Sequence, residues 1–372
     1  MRLRLISNGM NIQENIALFP YTYLKAGGPA RFLVEIQTED ELREAVTWAQ
    51  ERQMQIAVLG AGSNVLVSDN GFDGLVIRMR LEKLVCKDAH VYAGAGVSMA
   101  QAAAFALRHN LSGFEWAIGI PGTVGGSVYG NAGCFGGEME QVLECVRVLE
   151  CKVPARHASR GEAGRQSARQ TQLGEARPKG AAKCPPAMLR EAKRAGKVVE
   201  FQNSDCKFGY RESVFKEHKN WIILGATLKL KRISDEEKKE RQARVTQMMR
   251  ERVAEQAIGE RTMGSTFKGI PITNETLQLV RSHDERFQKN KDSCWVFENR
   301  RGMMSAGFLI EQADLKKKKI SGMSVSSKHA NFLINDGMAT AEHAVMLIAL
   351  IKERVHRKFG IMLEEEIQYL GF

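Results

Sequence analysis

The sequence predicts a multi-domain α+β protein, and three observations carry that expectation. The chain has 372 residues, enough for two or three domains with a sizeable core. Strand-like and helix-like segments are interleaved along it rather than gathered into separate blocks. No period of 20–50 residues repeats, so solenoids and propellers are excluded.

The elements follow in order. RFLVEI (31–36) reads as a strand, and Thr38 then caps an amphipathic helix whose Leu42, Ala45, Val46 and Ala49 share a face. IAVLG (56–60) and LVIRM (75–79) read as buried strands, closing a β-α-β-β unit over residues 1–84. A second unit, 85–233, starts with HVYAG, a turn and an Ala-rich helix ending near Asn110 and Gly113; the strands QVLECVRVLE and WIILGATLKLKRI follow. A third, 234–360, runs from the charged helix SDEEKKERQARVTQMMRERVAEQ to a closing helix at 340–360. In that helix Ala344, Leu347, Ile348, Ile351, Val355 and Phe359 share a face, and residues 361–372 form a C-terminal segment.

Composition narrows the function. The net charge of +11 suggests a polyanion partner, but residues 151–200 alone contribute +8. That segment is rich in Ala and Gly and holds no Phe, Trp or Tyr for base stacking. It reads as a basic, solvated and disordered insertion rather than a nucleic-acid surface, and 270–303 reads as a second, polar insertion. No apolar run approaches the roughly 18–20 residues of a membrane span, and no secretory signal is read at the start of the chain. Seven cysteines without CxxC or Cys/His ligand spacing fit reduced thiols in a cytoplasm, with no structural metal and no obligatory protein partner.

Two stretches point to a ligand. GAGSN (60–64) follows a strand: Gly60 and Gly62 permit a tight turn, and Ser63 and Asn64 add donors, a nest suited to anionic oxygens such as a diphosphate. It is not a dinucleotide GxGxxG, since Val65 takes the third glycine's place. IPGTVGGSVYGNAGCFGGE (120–138) belongs to a run with eight glycines between Gly119 and Gly137. Pro121 removes a donor, while Gly122, Gly125 and Gly126 leave backbone amides bare for something to lie against.

Three further motifs carry little alone: FGYRES (208–213), GSTFKG (264–269) and LEEEIQYLG (363–371). Ser265 has no neighbouring His or Asp to make it a nucleophile and reads as a proton donor or helix cap. As an ordered set beginning with YTYLKAGGPARF (21–32), and including SSKHANFLIN, these motifs resemble the UDP-N-acetylenolpyruvoylglucosamine reductase (MurB) family. The spacing of Arg211 and Ser265 resembles its shorter subtype, without a tyrosine-bearing lid and here with two insertions.

The resemblance implies an FAD-binding fold of the vanillyl-alcohol-oxidase (PCMH-type) flavoproteins, spanning the first two units, with a separate C-terminal substrate-binding domain. It implies NADPH-dependent, FAD-mediated reduction of the enolpyruvyl ether of UDP-N-acetylglucosamine to UDP-N-acetylmuramate, a cytoplasmic step of peptidoglycan synthesis. Gly60, Gly62, Ser63, Asn64, Pro121, Gly122, Thr123, Gly125, Gly126, Asn131 and Ala132 would hold FAD. Arg211 would stabilise charge on the substrate carboxylate, Glu366 would assist enol formation and Ser265 would deliver the proton. Tyr210, Lys268 and His329 would line the substrate site. Gly269, Gly130 and Glu365 depart from the family pattern, which usually has Asn, a larger residue and Pro there. The alternatives are a related FAD enzyme oxidising an alcohol or hydroxy acid, and a non-catalytic polyanion-binding protein on a flavoprotein fold.

Overall fold

A computed structural model describes residues 3–5, 10–151, 196–257, 259–282 and 302–372. The first sheet runs Leu3–Leu5, Asn11–Ala17, Pro29–Ile36, Phe72–Met79, Gln55–Leu59, its last three strands parallel. The helix Glu39–Glu51 makes the crossover, and the Thr38 hydroxyl accepts from the Glu41 amide in a capping box. Its predicted apolar face is buried. Gln55–Leu59, expected as a buried strand, is instead the sheet edge, with Val58 47% exposed. Asn11–Ala17 is a strand that the polar run NIQENIA gives no strong reason to expect.

The second sheet is antiparallel, in the order Lys197–Gln202, Leu143–Glu150, Trp221–Lys229, His90–Gly94, Leu84–Lys87. It shares one core with the first sheet and with the helices Glu39–Glu51 and Met99–Arg108. Lys197–Gln202 corrects the C-terminal limit of the expected insertion: Phe201 packs against Phe215 and Trp221, which fixes the strand to the sheet. The expected disorder of the rest concerns 152–195, which lie outside the described residues. The ends of the 270–303 stretch are also structured. Ile270–Pro271 pairs with Met303–Met304, and the helix Asn274–Arg281 buries Val280; residues 283–301 lie outside the described set.

The third sheet, Thr262–Ser265, Phe332–Asn335, Met323–Val325 and Lys319–Ile320, is covered by the helix Ala341–Phe359. The helix Asp235–Glu255, expected to open this unit, buries Met248 in the core of the first two sheets instead. Several contacts fasten the third unit to the first, and two bear on the site. The Asp69 carboxylate accepts from the amides of Ala341 and Glu342, capping the closing helix. The C-terminal strand Gln368–Leu370 pairs in parallel with Val65–Val67, immediately after the GAGSN turn.

Candidate functional site

That last pairing positions the site, because it carries the acidic C-terminal segment to the glycine turn. The Asn64 side chain donates to the carbonyl of Glu366, and the Asn64 carbonyl accepts from the Gln368 amide. The GAGSN turn itself leaves five consecutive amides, 60–64, with no acceptor among the described residues. Gly62 makes the turn possible: its φ is +71°, and a Cβ there would stand 2.2 Å from the Tyr21 carbonyl oxygen.

The long glycine run packs against this turn. It is partly regular, with a short helix Val124–Tyr129 and a hairpin pairing Gly133–Cys134 with Gly137–Glu138. The amides of Val124 and Gly125 are taken by the carbonyls of Val97 and Ala95, so those two cannot serve a ligand through their N–H groups. The amides of Gly122 and Thr123 have no acceptor among the described residues. A Cβ on Gly60 would meet the Thr123 hydroxyl at 2.6 Å, and one on Gly122 would come no nearer than 3.4 Å to the Ser63 hydroxyl. Two sets of bare amides therefore adjoin across a cradle that side chains at 122 and 126 would fill. Its chemistry suits a diphosphate lying along a backbone, as FAD presents.

Asn131 and Ala132 are used differently. Asn131 is fully buried; its amide donates to the Gly209 carbonyl and its oxygen accepts from the Glu140 amide. The Ala132 amide donates to Ser127 and its carbonyl accepts from Met139. Asn131 ties the glycine run to the GYRES segment rather than presenting its side chain to a ligand.

That segment is a tight turn. Gly209 and Glu212 exchange amide-to-carbonyl bonds, leaving Tyr210 and Arg211 at the tip. Arg211 has φ +58°, left-handed backbone that costs an arginine about 1–3 kcal/mol. The strained turn directs its guanidinium to Glu366: Nε lies 2.8 Å from Oε1, off the N–H direction, so this buried N–H has no aligned acceptor among the described residues. Nη2 donates to the Gly133 carbonyl at 3.2 Å. Burial pulls against the Arg211 charge, but Glu366, Tyr210 and Glu138 hold it above its ordinary value.

Burial pushes the Glu366 carboxyl up, against the pull of Arg211, Lys216 and Lys268. A carboxyl raised in this way binds its proton more tightly in the folded state. Its contribution to stability is therefore full below the ordinary value of 4.5 and is lost as pH rises through the folded value. Wild-type protein should lose stability relative to Glu366→Gln as pH rises above about 4.5, in denaturant melts at stepped pH. A difference that stays constant with pH would contradict the buried carboxyl.

Ser265 reaches the same place from the third sheet. A Cβ on its neighbour Gly264 (φ +76°) would have the Ser63 carbonyl as its nearest atom, at 3.8 Å. The following carbonyl, Thr266, accepts from the Glu366 amide. Buried Asn331 holds this strand, accepting from the Phe267 amide and donating to its carbonyl. The Ser265 hydroxyl has no partner among the described residues, so it is available to a ligand.

Lys268 donates to Glu212 at 2.7 Å and lies 3.4 Å from Glu364. Burial opposes its charge, but these two carboxylates raise its pKa. Tyr210 accepts from the Gly269 amide and occupies the space a side chain at 269 would need, since a Cβ there would stand 2.8 Å from its hydroxyl. This accounts for glycine at 269. Position 365 also has a simple account: the Phe267–Glu365 bridge uses the amides of 268 and 366, leaving that of 365 without an acceptor, so proline would fit equally well. Gly130 has no such explanation.

His329 is not part of the cluster. Burial lowers its pKa, its electrostatic neighbours are Lys316 and Glu311, and its Nδ1 accepts from the Asn331 amide. It supports the Ser326–Asn331 loop. Lys216 and Asn331 were missed from the sequence; Asn331 acts through Phe267, distant in the chain, and Lys216 through the backbone of the Arg211 turn close by.

Among the described residues no group of His, Cys, Asp and Glu could hold a metal ion, and no helix is long and apolar enough to cross a membrane.

Comparison with known proteins adds to this geometry. Residues 30–152 match the FAD binding domain family, and 256–370 match the family described as UDP-N-acetylenolpyruvoylglucosamine reductase, C-terminal domain. The chain is 31% identical to the UDP-N-acetylenolpyruvoylglucosamine reductase of Solibacter usitatus, over 100% of both chains. It is 32% identical to that of Listeria monocytogenes, covering 97% of this chain and 95% of the relative. Among solved structures it is similar to the reductase of Thermus caldophilus, with a TM-score of 0.63, 26% identity, and coverage of 99% of this chain and 100% of that one.

Proposed function

The chain belongs to the UDP-N-acetylenolpyruvoylglucosamine reductase family and is an FAD-dependent oxidoreductase of peptidoglycan precursor synthesis; from that premise we propose how its own residues carry the reaction, with NADPH as reductant. The units 1–84 and 85–233 serve as the FAD-binding half, and 234–360 with the 361–372 segment serves the substrate. The observation that carries this reading is one junction. Seven amides with no acceptor among the described residues, at 60–64 and 122–123, meet the largely buried Arg211–Glu366 pair where the C-terminal strand joins the first unit.

The bare amides of 60–64 and 122–123 would hold the diphosphate of FAD, and the glycine face at 122 and 126 would let the cofactor approach the backbone. Bound there, FAD supplies the relay of a hydride from NADPH to the methylene carbon of the enolpyruvyl ether. Negative charge then develops at the carbon beside the substrate carboxylate. Arg211, a permanently charged fork with a buried Nε–H lacking an aligned acceptor, binds that carboxylate and stabilises the charge. Glu366, its carboxyl pushed up by burial against the pull of Arg211, would assist formation of the enol through a hydrogen bond. Ser265 gives its proton to the α carbon, completing addition of one hydride and one proton across the double bond. Lys268, beside Tyr210 at the same mouth, suits a substrate phosphate.

The test is a steady-state assay of NADPH oxidation. Consumption should depend on the enolpyruvyl ether and yield one UDP-N-acetylmuramate per NADPH. Equal turnover with simple hydroxy acids or alcohols and none with the enol ether would favour the oxidase alternative. The polyanion-binding alternative rests on residues outside the described set. Solubility in the cytoplasm, where the nucleotide substrates are found, is part of the same proposal.

A further inference from the structure

We propose that Lys216 is a positioning residue for the substrate half of the reaction, its ammonium locking the Tyr210–Arg211 turn so that Arg211 faces Glu366. The inference rests on the functional reading above and assigns a role to a residue outside the catalytic trio. Lys216 ends a short helix, Val214–Lys216, that is anchored by buried Val214 and Phe215. Its base is therefore fixed. From there Nζ donates to the Arg211 carbonyl at 2.5 Å and lies 3.5 Å from Oε1 of Glu212.

The Arg211 carbonyl is the informative partner. Arg211 holds a left-handed backbone that an arginine adopts only when its surroundings impose it. The peptide following Arg211 is gripped at both ends: its Glu212 amide donates to the Gly209 carbonyl, and its Arg211 oxygen accepts from Lys216. Without the ammonium, the single Glu212 amide bond restrains that peptide, and the turn can relax towards an ordinary backbone region and carry the guanidinium away from Glu366.

Lys216 also belongs to the charge set of the site. Arg211, Lys268 and Tyr210 face Glu366 along with it, and Glu212, Lys268 and Glu366 face Lys216 itself. Burial draws Lys216 towards neutrality, and Glu212 opposes that. Glu212, shared by Lys216 and Lys268, stays ionised below the usual carboxylate range despite partial burial. Loss of Lys216 would remove one positive charge from around Glu366 and release the turn together. A displacement on the order of 1 Å in a positioned catalytic group can cost about a hundredfold in rate.

The experiment uses FAD-loaded full-length Lys216→Met and follows the two half-reactions separately by rapid mixing. Flavin reduction by NADPH should stay within about twofold of wild type, while reoxidation by the enolpyruvyl ether slows by about 50–100-fold. The Glu366 limb of the reoxidation pH profile should move to higher pH, because a neighbouring cation is gone. Lys216→Arg, which keeps the charge and the donors, should recover at least about tenfold of the loss. Reoxidation at the wild-type rate in Lys216→Met would overturn the proposal. So would equal slowing of both half-reactions with an unmoved pH profile, the outcome of a merely structural role. Wild-type protein that is not reoxidised by the enol ether would instead defeat the functional reading, and this inference with it.

Discussion

Ser265→Ala is expected to slow reoxidation of the reduced enzyme by the enol ether by about 10²–10⁴-fold, the range for loss of a positioned proton donor. Reduction by NADPH should be nearly unchanged. The separation follows from placement: Ser265 sits on the third sheet, and its hydroxyl is free among the described residues. Its neighbour Gly264 comes near the glycine turn, where a Cβ would stand 3.8 Å from the Ser63 carbonyl oxygen. A serine is a weak acid, but a carbon bearing carbanion character is a strong acceptor, so geometry decides whether transfer occurs. Rapid-mixing absorbance at the flavin band resolves the two steps. If both slowed equally, Ser265 would be serving cofactor binding or folding rather than protonation.

Gly122→Val is expected to keep the fold and lose FAD, weakening its affinity by at least about 100-fold, or about 2.7 kcal/mol. The argument depends on contrasting two glycines. Gly62 has φ +71° and no room for a Cβ beside the Tyr21 carbonyl, so any side chain there disturbs the protein itself. Gly122 has an ordinary φ, and a Cβ would first meet the Ser63 hydroxyl at 3.4 Å, an ordinary contact. The protein therefore leaves room for a Cβ at 122 where it leaves none at 62. Equilibrium titration with FAD and a thermal melt of the apoprotein check both halves. An apoprotein melting many degrees lower would mean that the position is needed for folding, and full FAD affinity would mean that the cradle is misplaced.

How much of this was legible in the sequence depended on range. Local features read well: Thr38 with Glu41 announces a capping box, and the 3.6-residue spacing from Ala344 to Phe359 announces a buried helix face. The GAGSN turn was legible because glycine at 60 and 62 limits what the backbone can be doing. Other features arise only when distant segments meet. Asn64 and Asn131 have the donors a ligand needs, yet their side chains bind the carbonyls of Glu366 and Gly209, hundreds or tens of residues away. Nothing near His329 reveals that its ring turns to Glu311 and Lys316. Lys216 looks like one surface lysine among many until Arg211 adopts a left-handed backbone and needs its carbonyl held. The helix Asp235–Glu255 misled for a related reason: with Met248 its buried apolar anchor, its pattern does not say which core receives it.

The most direct test of the central claim is an anaerobic single turnover. The purified protein should show a flavin absorption band that bleaches on adding NADPH. UDP-N-acetylglucosamine enolpyruvate should then restore the band far faster than air does, with UDP-N-acetylmuramate formed in the same proportion. A colourless protein that takes up no FAD, or a bleached one that the enol ether leaves bleached, would contradict the account.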